Sequence, residues 1–136
     1  MKIEDLNILL HLRQYPLFSI GVNNNAYNYE DTIKIISYAK ENIIPIIGCD
    51  LYYYNNSKII IPENYNGGWY CDRIKNENLK DYVYRSCIEA MSFIKRYTPN
   101  GNMIPLFDIC LGEEWICRDR GDRRIMGSVL LIIFLR

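Results

Sequence analysis

The apolar positions of the chain fall into one strand-like centre flanked by helix-like stripes. Residues 43–54, Ile-Ile-Pro-Ile-Ile-Gly-Cys-Asp-Leu-Tyr-Tyr-Tyr, are apolar on both faces up to Asp50, as a covered central strand reads, and become amphipathic and aromatic beyond it. Asn55-Asn56 tolerates positive φ at low cost and predicts a tight hairpin turn. Lys58–Ile61 is then the returning strand, stopped by Pro62, which has no N–H to give a ladder. Side-chain alternation sends Tyr53 to one face of this hairpin and Tyr52 and Tyr54 to the other.

Helical spacing appears three times. Ile3, Leu6, Leu9, Leu10 and Arg13 predict a helix over residues 3–14, ended at Tyr15-Pro16 because a residue before proline avoids helical dihedrals. Leu17–Val22 reads as a short strand or an extended lead-in, and Asn23–Asn28 as a loop. Asn28 is placed to cap the next helix, Glu30 and Asp31 suit the positive end of its dipole, and Tyr29, Ile33, Ile36, Ala39 and Ile43 form one stripe. This predicts a helix over Tyr29–Glu41. After a loop at Glu63–Gly68 and a short extended Trp69-Tyr70-Cys71, Asn76 or Asn78 caps the longest helix, Leu79–Tyr97. Its apolar stripe carries Leu79, Val83, Ser86, Cys87, Ala90, Ile94 and Tyr97, and its wet face Lys80, Asp81, Arg85, Glu89, Lys95 and Arg96. Pro99-Asn-Gly101 breaks it. Met103–Leu111 is a further buried strand, and Pro105 puts its start late or the strand at an edge.

The order helix, helix, strand, strand, helix, strand predicts an α+β (or α/β) fold, a small sheet of three to four strands covered by about three helices. With 136 residues there is room for one domain with one core, assigned to residues 1–111. Composition sets the rest apart. All seven Lys and all fourteen Asn precede Gly112, whereas five of the nine Arg follow it. Residues 112–136 therefore read either as an added terminal element, with Met126–Leu135 as a strand, or as a tail joined by a reading-frame change or cloning junction.

A formal net charge of zero argues against a general nucleic-acid binder. The charged amino terminus argues against a signal peptide, and the apolar run Ile125–Leu135 is too short to span a bilayer, so a cytoplasmic protein is expected. Five cysteines, Cys49, Cys71, Cys87, Cys110 and Cys117, include no Cys-x-x-Cys pair and read as reduced thiols. The paired spacing of a zinc site is absent, and the lone histidine, His11, sits in the first helix with no Cys or Asp at a telling spacing.

Two carboxylates at strand ends, Asp50 and Asp72, suit an acid–base pair or a cation, or simply tie up loop amides and lead a helix. Cys71 beside aromatics suits a nucleophile but lacks a base, and a buried thiol is the commoner case. No nucleophile elbow, phosphate loop or His-Glu-x-x-His occurs. Tyrosine is the unusual count, with 12 in the chain and Tyr52, Tyr53, Tyr54, Tyr65 and Tyr70 around the central stretch. Tyr and Trp offer large contact area at low entropic cost, so the cluster reads as a binding surface or as a wet-edged aromatic core.

The pattern apolar-Pro-Ile-Ile-Gly-x-Asp-x-Tyr within Ile43–Tyr53, then Trp69-Tyr-Cys-Asp72, Tyr82-Val-x-Arg-Ser86 and Ala90-x-x-x-Ile94-x-x-Tyr97, resembles the immunity protein 40 family of bacterial polymorphic toxin systems. The resemblance covers about residues 20–111, and Cys49 stands where its pattern leads one to expect a second glycine. It implies a cytosolic protein that binds and sterically blocks a cognate toxin domain, with no catalytic residue and no cofactor. On that reading the candidate contact residues are Asp50, Tyr52, Tyr54, Trp69, Tyr70 and Asp72. The competing classes are a small enzyme or ligand-binding domain using Asp50, Cys71 and Asp72 in one pocket, and a structural homo-oligomer with the Tyr cluster buried between copies.

Overall fold

The computed structural model describes residues 3–62 and 68–112. The expected loop at Glu63–Gly68 (all but its last residue), Tyr65, Cys117 and the terminal strand Met126–Leu135 lie outside the described residues.

The fold is α+β, three helices against a small antiparallel sheet. Its axis is β3 (Ile46–Asn55). On one side β3 pairs with β6 (Ile104–Leu111) along nearly its whole length. On the other side two short strands share it: β4 (Lys58–Ile60) lies against Tyr53–Asn55, and β5 (Trp69–Tyr70) against Gly48 and Cys49. The β3–β4 turn places Asn56 at φ 51° and Ser57 at φ 66°, the two positive values that match a two-residue hairpin to strand twist. Two elements not anticipated as strands, β1 (Tyr15–Pro16) and β2 (Asn25–Ala26), pair with each other. The residue after β2, Tyr27, exchanges backbone hydrogen bonds with Phe107 at 2.8 and 2.7 Å, which joins this ribbon to the free side of β6. Pro105 is thus accommodated in a strand whose outer side is bridged only farther along.

The first helix, α1 (Ile3–Leu9), is shorter than the periodicity predicts. The chain leaves it through His11 at φ 57°, and the backbone N–H of Arg13 donates to the Asp31 carboxylate at 2.8 Å. Ending early lets Leu10 and Leu12 pack on the core while Tyr15-Pro16 turns into the β1–β2 ribbon. Leu17–Val22 is no strand; it contains a 3-10 turn, Phe18–Ile20.

The second helix, α2 (Tyr29–Glu41), has the predicted bounds, and the Asn28 side chain accepts from the Asp31 N–H as its cap. Its buried stripe is Thr32, Ile35, Ile36 and Ala39, turned slightly from the expected one. Ile43 leaves that stripe because it takes the left-handed conformation just past the helix, φ 56°, where it is 40 % exposed. The third helix, α3 (Leu79–Ile94), is capped by Asn78 and ends one turn before Tyr97. Tyr82 and Phe93 join its buried face.

Both long helices cover the same face of the sheet. Cys49 and Leu51 of β3, Phe107 and Ile109 of β6, Ile35, Ile36 and Ala39 of α2, and Val83, Cys87, Ala90 and Ile94 of α3 form one core. Each large aliphatic side chain buried there contributes about 1.5–3 kcal/mol of transfer free energy. Cys49, at the position where a second glycine was expected, packs into this core. Gly48, beside it, makes the close approach: a Cβ there would meet the Tyr70 ring at 2.8 Å and the Trp69 carbonyl oxygen at 3.0 Å.

Candidate functional site

Alternation along β3 places Gly48, Asp50, Tyr52 and Tyr54 on the face away from the helices, and along β6 it adds Leu106, Asp108 and Cys110. Part of this face is roofed. Tyr15, Leu17, Ile20, Val22 and Ala26 pack with Leu106, Tyr52, Tyr54 and Ile59 into a second, smaller cluster, and the Tyr15 and Tyr54 rings meet edge to face at 4.9 Å between centroids. At the other end of this face the Asn24 side chain, from the segment before β2, reaches Asp108, and Gly68 lies against the Asp50 carboxylate, leaving both aspartates partly buried. Tyr70 of β5 stands 61 % exposed at that end of the sheet, with its ring over Gly48.

Asp50 and Asp108 are direct cross-strand partners. Like charges placed opposite one another on a sheet repel, and each carboxylate also loses water here. Burial first, then the Asp50 charge, pushes the Asp108 carboxyl up to about 7, a rise only partly offset by the Asn24 side-chain amide, which donates to it at 3.3 Å. Burial likewise raises Asp50. The Tyr52 hydroxyl is pushed up to about 12 by burial and then by Asp50, Asp108 and Tyr70, and the Tyr70 hydroxyl is raised by burial and by the same two carboxylates. These mutual effects mark the four side chains as one cluster on one face.

Of the six residues the sequence singled out, the structure brings together Asp50, Tyr52, Tyr54 and Tyr70. Trp69 points the other way. It is half-buried against the helix-side core and stacks on Phe93 of α3, with centroids 6.3 Å apart. Asp72 is exposed in the loop after β5, its backbone carbonyl accepting from Arg85 Nη2 at 2.7 Å. Asp108 was missed; a lone Asp inside the apolar run 103–111 was the available signal, and only the register shows that it faces Asp50.

Cys71 belongs to a separate network on the helix side. Arg85 of α3 grips Glu77 through two hydrogen bonds, Nε to Oε2 at 2.9 Å and Nη2 to Oε1 at 2.8 Å, and its Nη1 donates to the Cys71 sulfur at 3.1 Å. The Tyr82 hydroxyl donates to the Cys71 carbonyl at 2.8 Å. This bidentate pairing holds the Glu77 carboxyl down at about 2 and ties the segment after β5 to the start of α3. Burial pushes the Cys71 thiol up to about 12, the reverse of what activates a nucleophile. Asp50 and Cys71 lie on opposite faces of the sheet, so the trio Asp50, Cys71 and Asp72 does not converge. Among the described residues there is no group of three or more metal-ligating side chains, and no helix is long and apolar enough to cross a membrane.

The site is thus a surface, with aromatic rings and two carboxylates side by side on a sheet backed by helices. The model of the Immunity protein 40 family matches residues 16–111. The chain belongs to that family. No curated protein and no solved structure matches it.

Proposed function

We propose that this chain neutralises a cognate bacterial toxin domain by binding it and covering its working face, without catalysis and in the cytoplasm. Family membership makes it an immunity protein in a toxin system. The observation that supports a steric binder is the incompletely roofed sheet face, where Tyr70 stands exposed beside Asp50, Asp108 and Tyr52. Such a patch has the make-up of a protein interface: aromatic anchors with polar tips, bordered by charges. Its contact residues are Asp50, Tyr52, Tyr54 and Tyr70, joined by Asp108. Trp69 and Asp72 fall outside the patch, the first as a support of β5 from behind.

The test is growth of cells expressing the carboxy-terminal domain encoded immediately upstream, with and without this protein. Rescue together with co-purification is the expected result. A toxic neighbour left unrescued would argue against that pairing and favour a ligand-binding domain.

A further inference from the structure

Among the described residues, the two carboxylates on this face of the sheet have no basic counterpart. Of the described residues, those that act on Asp50, Asp108, Tyr52 and Tyr70 are one another, the thiols Cys49 and Cys110, and the neutral Asn24 amide, with no Lys or Arg among them. Elsewhere in the described residues the chain pairs largely buried carboxylates with cations, Glu77 with Arg85 and Asp31 with Lys34 at 3.6 Å. The pair on β3 and β6 is left as a negative point beside the exposed Tyr70 ring.

We propose that this face docks a basic patch of the toxin domain, with a lysine or arginine side chain seated between Asp50 and Asp108 and against the rings of Tyr52 and Tyr70. This deepens the binding role proposed above and rests on it. A cation placed there meets two carboxylates and two aromatic faces in a partly dehydrated setting, where charge-assisted hydrogen bonds and cation–π attraction both strengthen. It also relieves the repulsion that the free protein carries. A second copy of this chain would bring two like-charged faces together. The chain's own residues 113–124 hold four arginines but also Glu113, Glu114, Asp119 and Asp122, so that segment offers no net positive charge.

The experiment uses the full chain and the toxin domain encoded immediately upstream, with affinity measured by calorimetry at low and high salt. The double substitution Asp50→Asn with Asp108→Asn is expected to weaken binding by about 30-fold or more and to flatten its salt dependence. It removes a repulsion, so the variant's thermal midpoint at neutral pH should match or exceed that of the parent, which separates lost contact from lost folding. Unchanged affinity in a variant that folds would overturn the basic-patch assignment while leaving the immunity role standing. A parent chain that neither binds nor rescues would fail the immunity role itself, and the proposal with it. Two further outcomes would overturn it by naming another occupant: a parent dimer that the double variant dissolves, or binding tightened by Gln at Arg118, Arg120, Arg123 and Arg124.

Discussion

At the scale of single residues, the consequence of pairing Asp50 with Asp108 is a pH-dependent stability of unusual sign. A carboxyl raised in the folded state binds its proton more tightly there than in the unfolded chain. The resulting stabilisation is complete below the unfolded value of 3.8 and is lost as pH rises through the folded value of about 7. Asp50 acts in the same direction. Glu77 acts oppositely but in another window: lowered to about 2, it adds stability above the unfolded value of 4.5 that disappears as acid approaches 2. Between pH 5 and pH 8 the aspartates therefore dominate these three, and urea unfolding should show stability falling by on the order of 2–4 kcal/mol across that range. Asp108→Asn should flatten the slope and raise stability at pH 8 by about 1–3 kcal/mol. An unchanged slope would mean that the two carboxyls titrate normally. Sequence reading found one member of this pair and not the other. Asp50 stands at a visible change of pattern, whereas Asp108 gains meaning only from a partner 58 positions away in the chain, a register that no local signal encodes.

At the scale of elements, what was legible was whatever depends on neighbours a few positions apart. The helix Tyr29–Glu41 and its Asn28 cap, the start of α3 and a tight turn after β3 (at Asn56-Ser57, one residue on from the expected Asn55-Asn56) all follow from local chemistry. The ribbon β1–β2 was not legible because each strand is two residues long and exists only through pairing at a distance. The same limit hid the role of Ser86. It was expected on the buried stripe of α3 and is fully buried there, but its hydroxyl also bridges helix and sheet, donating to the Val83 carbonyl at 3.0 Å and accepting from the Ile46 N–H at 3.0 Å. Ile46 begins β3 beside a register irregularity, which explains why its N–H turns to a side chain. Ser86→Ala leaves that buried donor unpaired and should cost about 1–3 kcal/mol, read as a lower urea midpoint at unchanged m value. A loss under about 0.5 kcal/mol would show that the Ile46 N–H finds another acceptor.

At the scale of the whole molecule, the question is which face of the sheet meets the helices and which is left for a partner. Alternation separates Tyr53 from Tyr52 and Tyr54 but gives no sign of which set lies under α2 and α3, and Trp69 and Tyr70 were grouped as neighbouring aromatics although the same alternation puts them on opposite faces. The three-dimensional answer turns these two neighbours of β5 into reporters of opposite sides. Trp69 stacks on Phe93, which also meets Tyr97 and Phe107 edge to face, so its ring belongs to an aromatic group that pins β5 and the end of α3 to the core. Trp69→Ala should cost about 2–4 kcal/mol of unfolding free energy. Any effect on the toxin should follow from that loss, because stability and binding draw on the same folded population. Tyr70 is mostly exposed, with its ring over Gly48. Tyr70→Ala should cost under about 1 kcal/mol of stability yet weaken toxin binding by about tenfold or more, the signature of an interface anchor. Measuring both quantities for both variants gives a crossed pattern that one general effect on folding cannot imitate. If Trp69→Ala instead keeps its stability and loses the toxin, the partner sits on the helix side, and the open face has been given the wrong role.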